Sequence, residues 1–423
     1  MDLLQRLNQH HPKIIDLSLD RIIRLLGLLD NPQNSLPSVI HIAGTNGKGS
    51  TLAFMRAIAE AAGLKVHAYT SPHLVQFNER IRINGKIIGD QELLELMSEV
   101  EAKNEKAPIT FFEITTAIAL LAFSRIPSDL VLLETGLGGR LDATNVITRP
   151  TVTVLTPISH DHASFLGNNL TAIAQEKAGI IKSGVACISA EQDPLVLKVI
   201  KSRAESIDAP LSVENKDWWV AIIGNKISIM TPDGQINPPL PNLVGPHQIQ
   251  NAGLGIMALA ELGDKRINRK AVDAGVKNVD WPARMQQLTQ GPLCKLLPDH
   301  WELWLDGGHN PAAGHAIAAT LEESENVPIH LITGMINTKT PSGFLAPLLK
   351  YTKSLTAIKI PNQRASFSSD EISIVAKKIG FKAKIAGSVG KAIIEIIATE
   401  RSCSKILICG SLYLAGDILK DNK

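Results

Sequence analysis

Apolar residues fall at helical spacing through IIDLSLDRIIRLLGLL. This predicts helix over about the first 35 residues, ended at Asn31-Pro32. The pattern then changes to short unbroken runs, many of them β-branched: SVIHIAG, LKVHAY, DLVLLE (Asp129–Glu134), TVTVLTPI (Thr151–Ile158) and GVACISA (Gly184–Ala190). Runs of this length with no polar alternation predict strands covered on both faces. Helices are predicted between them, one from about Ser50 to Ala62 and one over ITTAIALLAF (Ile114–Phe123). The latter is far shorter than the roughly 18 apolar residues of a membrane span. Strands alternating with helices predict a mainly parallel sheet.

Around Trp218 the texture shifts. WWVAIIGNKISIM reads as two strands around Gly-Asn, a hairpin, and NPPLPNLVGPHQ as a Pro-rich loop. A helix follows from about Gln248 to Leu262. WPARMQQLTQGP (Trp281–Pro292) reads as a hinge. A second alternation begins after it: ELWLDGG, a helix from Pro311, PIHLITGM, a helix near Leu345, LTAIKI, a helix from Asp370, a short strand near Lys384, a helix from Gly390, and KILICGS. The expected division is residues 1–282, a linker over 283–293, and a smaller α/β domain over 294–423.

Composition narrows the partners. The chain has 423 residues, too many for one ordinary core and enough for two domains. Its 44% hydrophobic content excludes a mainly disordered chain. Lys plus Arg is 43 against 41 acids, so no basic excess points to nucleic acid. Cys187, Cys294, Cys403 and Cys409 are scattered without a CxxC pair, so neither a disulfide framework nor a zinc cluster is expected. With no signal-peptide core and no membrane run, a cytoplasmic protein is expected.

The strongest chemical signal is Gly44-Thr45-Asn46-Gly47-Lys48-Gly49-Ser50-Thr51, placed between a strand and a helix. Such a loop turns backbone N–H groups and a helix N-terminus towards an anion. Lys48 can reach terminal phosphates, although Gly49 separates it from Ser50, unlike GxxxxGK[ST]. The bland alternative is a Gly-rich turn with a solvated lysine. Glu134 ends a predicted strand before Thr135-Gly136-Leu137-Gly138-Gly139-Arg140, where it either holds Mg²⁺ or pairs with Arg140. Ser159-His160-Asp161-His162 follows a third strand and offers metal ligands, but HxH alone is weak. Glu176-Lys177 by itself reads as a solvated pair on a helix. Asp306-Gly307-Gly308-His309-Asn310 opens the second domain as either a site or a helix cap.

Together these motifs resemble the folylpolyglutamate synthase family, related to the Mur ligases. GTNGKGST, SPHL, FFE, ETGLGGRLDATN, EKAGIIK, HQxxNA, DGGHNP and ICGSLYLAGD recur in family order over roughly Ile40 to Asp417. The resemblance implies an α/β fold in which a P-loop ATP-binding domain precedes a Rossmann-like C-terminal domain. It implies that Thr45, Asn46, Gly47, Lys48, Gly49 and Ser50 form the ATP phosphate loop, with Asn251, Arg284 and Asp306 as further nucleotide contacts. Ser71, Glu134 and His162 match Mg²⁺ ligands. Lys177 matches a carbamylated lysine that helps hold a second Mg²⁺, and His309 belongs to the C-terminal catalytic motif. Thr110, Phe111, Phe112 and Glu113, with Leu141, Asp142 and Ala143, match segments that hold a pterin.

Four positions depart from the family: Ala283 for a usual glycine, Gly307-Gly308 for Val-Ala or Thr-Ala, His160 for leucine, and Thr338-Lys339-Thr340 for Asp-Lys-Asp. The expected reaction is ATP- and Mg²⁺-dependent ligation of L-glutamate to dihydropteroate and to folates, by a monomer. A monofunctional polyglutamylase, a Mur-type ligase and a P-loop switch are the alternatives.

Overall fold

The computed structural model describes residues 16–161, 163–167, 169–231, 234–323 and 327–422. Of the predicted N-terminal helix, residues 1–15 lie outside the described residues, and the described part is shorter than expected, running over Asp20–Leu28; Asn31 then turns the chain at φ 53 into a 3₁₀ turn, Pro32–Ser35. The described residues divide into two compact units. The first runs to Ser159 and continues over Leu166–Asn242 and Ile249–Asp280; the second comprises His160–Phe165, Leu243–Gln248 and the chain from Trp281.

The first unit holds strands β1 (Ser38–Ala43), β2 (Val66–Tyr69), β3 (Ile81–Ile83), β4 (Lys86–Ile87), β5 (Leu130–Glu134), β6 (Val152–Leu155), β7 (Ala186–Ser189) and β8 (Leu211–Val213). They form one sheet in the order β4-β3-β2-β5-β1-β6-β7-β8, parallel except for the short β3 and β4 at one edge. The uniformly apolar runs become the central strands because helices cover both faces. On one face Ile22, Leu96 and Ile118 pack with Val39, Tyr69 and Leu133. Further across the same face Ile173 and Val196 pack with Ala43, Leu155 and Cys187, while Ile40, Ile42, Leu132 and Val154 alternate to the opposite face and are buried there. Each such aliphatic side chain, fully buried, contributes roughly 1.5–3 kcal/mol. The predicted hairpin is β9 (Trp219–Ile223) and β10 (Lys226–Thr231), extended by β11 (Gly234–Ile236).

The second unit holds β12 (Gln286–Leu288), β13 (Glu302–Leu305), β14 (Ile329–Thr333), β15 (Ser354–Ala357), β16 (Ala383–Ile385) and β17 (Lys405–Cys409), ordered β12-β13-β17-β14-β15-β16. β12 lies within the segment expected to be a linker, yet it pairs antiparallel with β13, Leu288 opposite Leu303. The alternation Gln286-Gln287-Leu288 is too short to stand out as a strand until a partner is present. All four cysteines are free, and no described helix is long and apolar enough to cross a membrane.

The helix Phe111–Arg125 shows how one motif serves the fold. Thr110 Oγ1 accepts the Glu113 N–H at 3.2 Å, while Glu113 accepts the Thr110 N–H at 2.7 Å, a reciprocal capping box. Glu113 is buried and also pairs with Arg21 at 2.9 Å. Glu113→Ala therefore removes a cap and strands part of the Arg21 charge. Its expected cost is about 2–4 kcal/mol. Urea unfolding checks this, and an unchanged midpoint would refute it.

Candidate active site

Three neighbouring strands, β5, β1 and β6, deliver chemistry at their carboxyl ends, as an open α/β sheet requires. β1 ends at Ala43, Gly44 follows it, and helix Lys48–Ala61 begins after Gly47, whose φ of 88 is the left-handed conformation. A side chain at Gly47 would also meet Asn251 Oδ1 at 2.5 Å, so both backbone and space require glycine. The Thr45 N–H donates to Pro157 O at 3.0 Å, and Thr45 Oγ1 donates to Ser159 O at 2.9 Å. Lys48 Nζ lies over the loop, donating to Gly44 O at 3.1 Å and Thr45 O at 3.2 Å. Thr51 Oγ1 donates to Asn251 Oδ1 at 3.4 Å, which brings the HQxxNA asparagine to the loop. Ser50 is buried within the first helical turn.

Glu134 closes β5 opposite Ile42 of β1 and is buried. Its Oε2 accepts the Ser71 N–H at 3.2 Å, so two residues read as metal ligands stand together. His162 lies outside the described residues. The Arg140 alternative for Glu134 does not hold: Arg140 Nη2 pairs with Glu176 Oε1 at 2.7 Å. Lys177, next to Glu176, is not solvated. It is buried, and its Nζ donates to Gly44 O at 2.7 Å, inside the phosphate-type loop. Local sequence hides this, since the lysine comes to the loop only through the packing of helix Leu170–Ala178.

The FFE segment lies against the loop after β5. The Phe112 ring fills the space over Gly136, where a Cβ would sit 2.4 Å from its Cζ. Phe112 also meets Tyr69 with ring centroids 6.0 Å apart, and Phe111 is buried edge-on to Phe77. Within Leu141-Asp142-Ala143, Asp142 organises its own loop: Oδ2 accepts the N–H of Gly136 at 2.9 Å and of Leu137 at 2.8 Å. Burial raises its pKa above the usual carboxylate value, and these hydrogen bonds offset only part of that rise. His73 accepts from Arg80 Nε at 3.0 Å, and burial with the Arg80 charge lowers its pKa to about 4.

The second unit carries its own cluster. Asp306 ends the β13 region with Oδ2 accepting the Met285 N–H at 2.8 Å and Oδ1 the Gly308 N–H at 2.6 Å. It thus ties the turn bearing Ala283 and Arg284 to the strand end. Ala283 has φ 57, which explains the family's usual glycine there. Arg284 Nη1 donates to Ala283 O at 3.3 Å. Asn310 caps helix Pro311–Glu322 through the Ala313 N–H, and its Nδ2 donates to Asp161 Oδ2 at 2.9 Å. His309 Nδ1 lies 2.9 Å from Gly307 O; a carbonyl only accepts, so the proton sits on Nδ1. Nε2 then faces Asp161 Oδ2 at 3.9 Å. Desolvation first and Lys339 second hold the ring's pKa down at about 4, so it is neutral at pH 7. Lys339 ion-pairs with Asp161. From sequence Asp161 stands out only as one of the metal-type residues of Ser159-His160-Asp161-His162, and Lys339 only within Thr338-Lys339-Thr340, noted for its missing acids; their pairing with each other is not foreseen.

Comparison with known proteins agrees with this layout. Residues 42–259 match the Mur ligase middle domain, and residues 294–421 match the dihydrofolate synthetase C-terminal domain. The chain is 35% identical to the dihydrofolate synthase/folylpolyglutamate synthase of Bacillus subtilis, over 95% of this chain and 94% of that one. Among solved structures it resembles Escherichia coli FolC in complex with DHPP and ADP. There the TM-score is 0.88 at 29% identity, over 99% of this chain and 96% of that one. It also resembles the bifunctional Yersinia pestis enzyme complexed with AMPPNP and a Mn ion. That likeness has a TM-score of 0.87 at 27% identity, over 99% and 96% of the two chains.

Proposed function

Because the chain belongs to the dihydrofolate synthase/folylpolyglutamate synthase family, we propose that it joins L-glutamate to dihydropteroate and to the γ-carboxylate of tetrahydrofolate at the expense of ATP. The observation that carries this reading is the convergence of phosphate-type loop, buried Glu134 with Ser71, and buried Lys177 at adjoining strand ends. A carboxylate is a poor electrophile, so the γ-phosphoryl group of ATP is transferred to it first. The amine of glutamate then attacks the acyl phosphate, giving an amide, ADP and phosphate. The loop amides of Thr45–Ser50 and the Lys48 ammonium hold the phosphates and offset the charge on the phosphoryl oxygens. Asn251, Arg284 and Asp306 serve the nucleotide. Thr110–Glu113 and Leu141–Ala143 serve the pterin, and His309, neutral with its proton on Nδ1, presents Nε2 as an acceptor.

The residues fit a divalent cation. Glu134 is a buried carboxylate with Ser71 beside it, a hard oxygen set suited to Mg²⁺, and the Yersinia pestis relative was solved with Mn. Glu134, Ser71 and His162, with a carbamylated Lys177 for a second ion, would hold it. When bound, Mg²⁺ neutralises phosphate charge. The named residues need no second chain, so we read the working unit as a monomer. Four unbridged cysteines suit a reducing cytoplasm.

A product assay tests the reading: dihydropteroate or tetrahydrofolate with glutamate, ATP and Mg²⁺ should give the glutamylated product and ADP. ATP hydrolysis that requires neither the pterin acid nor glutamate would instead mark a P-loop switch. Glu134→Gln should raise the Mg²⁺ concentration needed for half-maximal turnover by about tenfold or more, the scale of losing one charged ligand interaction. Added Mg²⁺ should partly restore the rate. A parental Mg²⁺ dependence would remove Glu134 from the metal set.

A further inference from the structure

His41 lies in the middle of β1, fully buried, two residues before the end of the strand that feeds the phosphate loop. Its Nε2 is 2.8 Å from Thr144 Oγ1. That hydroxyl is 2.5 Å from Asp142 Oδ1, which also accepts the Thr144 N–H at 3.0 Å. The protons along this chain can be assigned. Burial raises the Asp142 pKa, but three backbone N–H groups, from Gly136, Leu137 and Thr144, point at its two oxygens and leave neither placed to carry a proton, an arrangement that favours the carboxylate. A carboxylate cannot donate, so the Thr144 hydroxyl donates to it. The hydroxyl oxygen is then left to accept, and His41 must supply Nε2–H. Burial supports this form: desolvation, with the Lys182 charge second, lowers the His41 pKa to about 3. The ring therefore stays neutral at working pH, and its buried Nδ1 has no hydrogen-bond partner among the described residues. A histidine kept in the core with one nitrogen unsatisfied is costly unless the other nitrogen is needed.

We propose that His41 is a positioning residue for the acid substrate: by fixing the Thr144 hydroxyl it aims Asp142 at the amides of Gly136 and Leu137, and so sets the loop that faces Phe112. The effect on substrate rests on the reading that this loop holds the pterin. The effect on the loop does not.

Three variants and two readouts test it. His41→Leu keeps the bulk and removes the donor. His41→Gln can place an amide N–H where Nε2–H stood. Thr144→Val removes the link itself. His41→Leu and Thr144→Val should each raise the KM for dihydropteroate about tenfold or more, the scale of one hydrogen bond to a charged group, and leave the KM for ATP within about twofold. The double variant should be no worse than the worse single one, as for residues acting in series. His41→Gln should recover most of the loss. Independently, the Gly136 and Leu137 amide resonances should move in His41→Leu and return towards parental values in His41→Gln. Amides that do not move, or KM values for ATP and pterin that rise together, would overturn the proposal. Moved amides with an unchanged dihydropteroate KM would keep the positioning role and refute the pterin assignment of the loop. Should His41→Leu fail to fold, Thr144→Val and His41→Gln carry the same comparison.

Discussion

Lys177→Ala should lose at least about 10³-fold in turnover, comparable to removing a major charge-stabilising group in phosphoryl transfer. The side chain is buried, and its Nζ donates to Gly44 O at 2.7 Å. A bare ammonium at that place would repel a divalent cation. Carbamylation by CO₂ needs the neutral amine and turns the cation into an anion with two oxygen ligands. The product keeps one N–H on Nζ, so the bond to Gly44 O survives the modification. Activity should therefore fall when CO₂ and bicarbonate are stripped from the buffer. A short carboxylic acid should restore some turnover to Lys177→Ala by filling the gap. A high-resolution map of the active, Mg²⁺-bound enzyme with an unmodified Lys177 would end this account.

Lys48→Ala should be equally severe for a different reason. Lys48 opens its helix, and among the described residues its Nζ bonds loop carbonyls alone, Gly44 O and Thr45 O. Those bonds hold the ammonium beside the helix N-terminus and the loop amides, the proposed phosphate site. Removing it should cost about 10³-fold in ligation. The thermal unfolding midpoint should barely change, because no core contact is lost. Lys48→Arg should not rescue fully, since a planar guanidinium cannot replace a compact ammonium. Residual activity within tenfold of the parent would sink the assignment.

The strand-turn-helix frame is legible in the chain because buried parallel strands are apolar throughout, and each Gly-rich motif follows one of them. β1, β5, β6 and β7 lie where their runs predict. Helices Asp90–Asn104 and Arg269–Lys277 are absent from the predicted elements, because each buries only a narrow stripe of a largely polar sequence. The site is half legible. Lys48 and Glu134 announce themselves by standing at strand ends. Lys177 does not, because its burial depends on a sheet and a helix far apart in sequence. Asp142 and Asp306 show the opposite limit. Besides the ligand roles read from sequence, Asp142 accepts the amides of Gly136 and Leu137 in its own loop, and Asp306 accepts those of Gly308 and of the distant Met285, a structural role that only three-dimensional pairing reveals. Glu113, read as part of a pterin segment, is likewise engaged in a helix cap and an ion pair.

The central place of β1 in its sheet also governs when the chain can work at all. Ser38 lies opposite Leu130 and Ile40 opposite Val152, so the first strand made has neither neighbour until much later in synthesis. Parallel pairings of such long sequence separation form slowly, since the loop entropy must be spent before the contacts repay it. The loop after β1 is anchored by Pro157 and Ser159 and meets Asn251, so it takes shape only after those residues have left the ribosome. If this loop holds the nucleotide as proposed, a nascent chain that stops short of β6 cannot bind it there. Nucleotide affinity is then a late checkpoint of folding, and ATP in the cell acts on this unit as a ligand that selects the completed sheet.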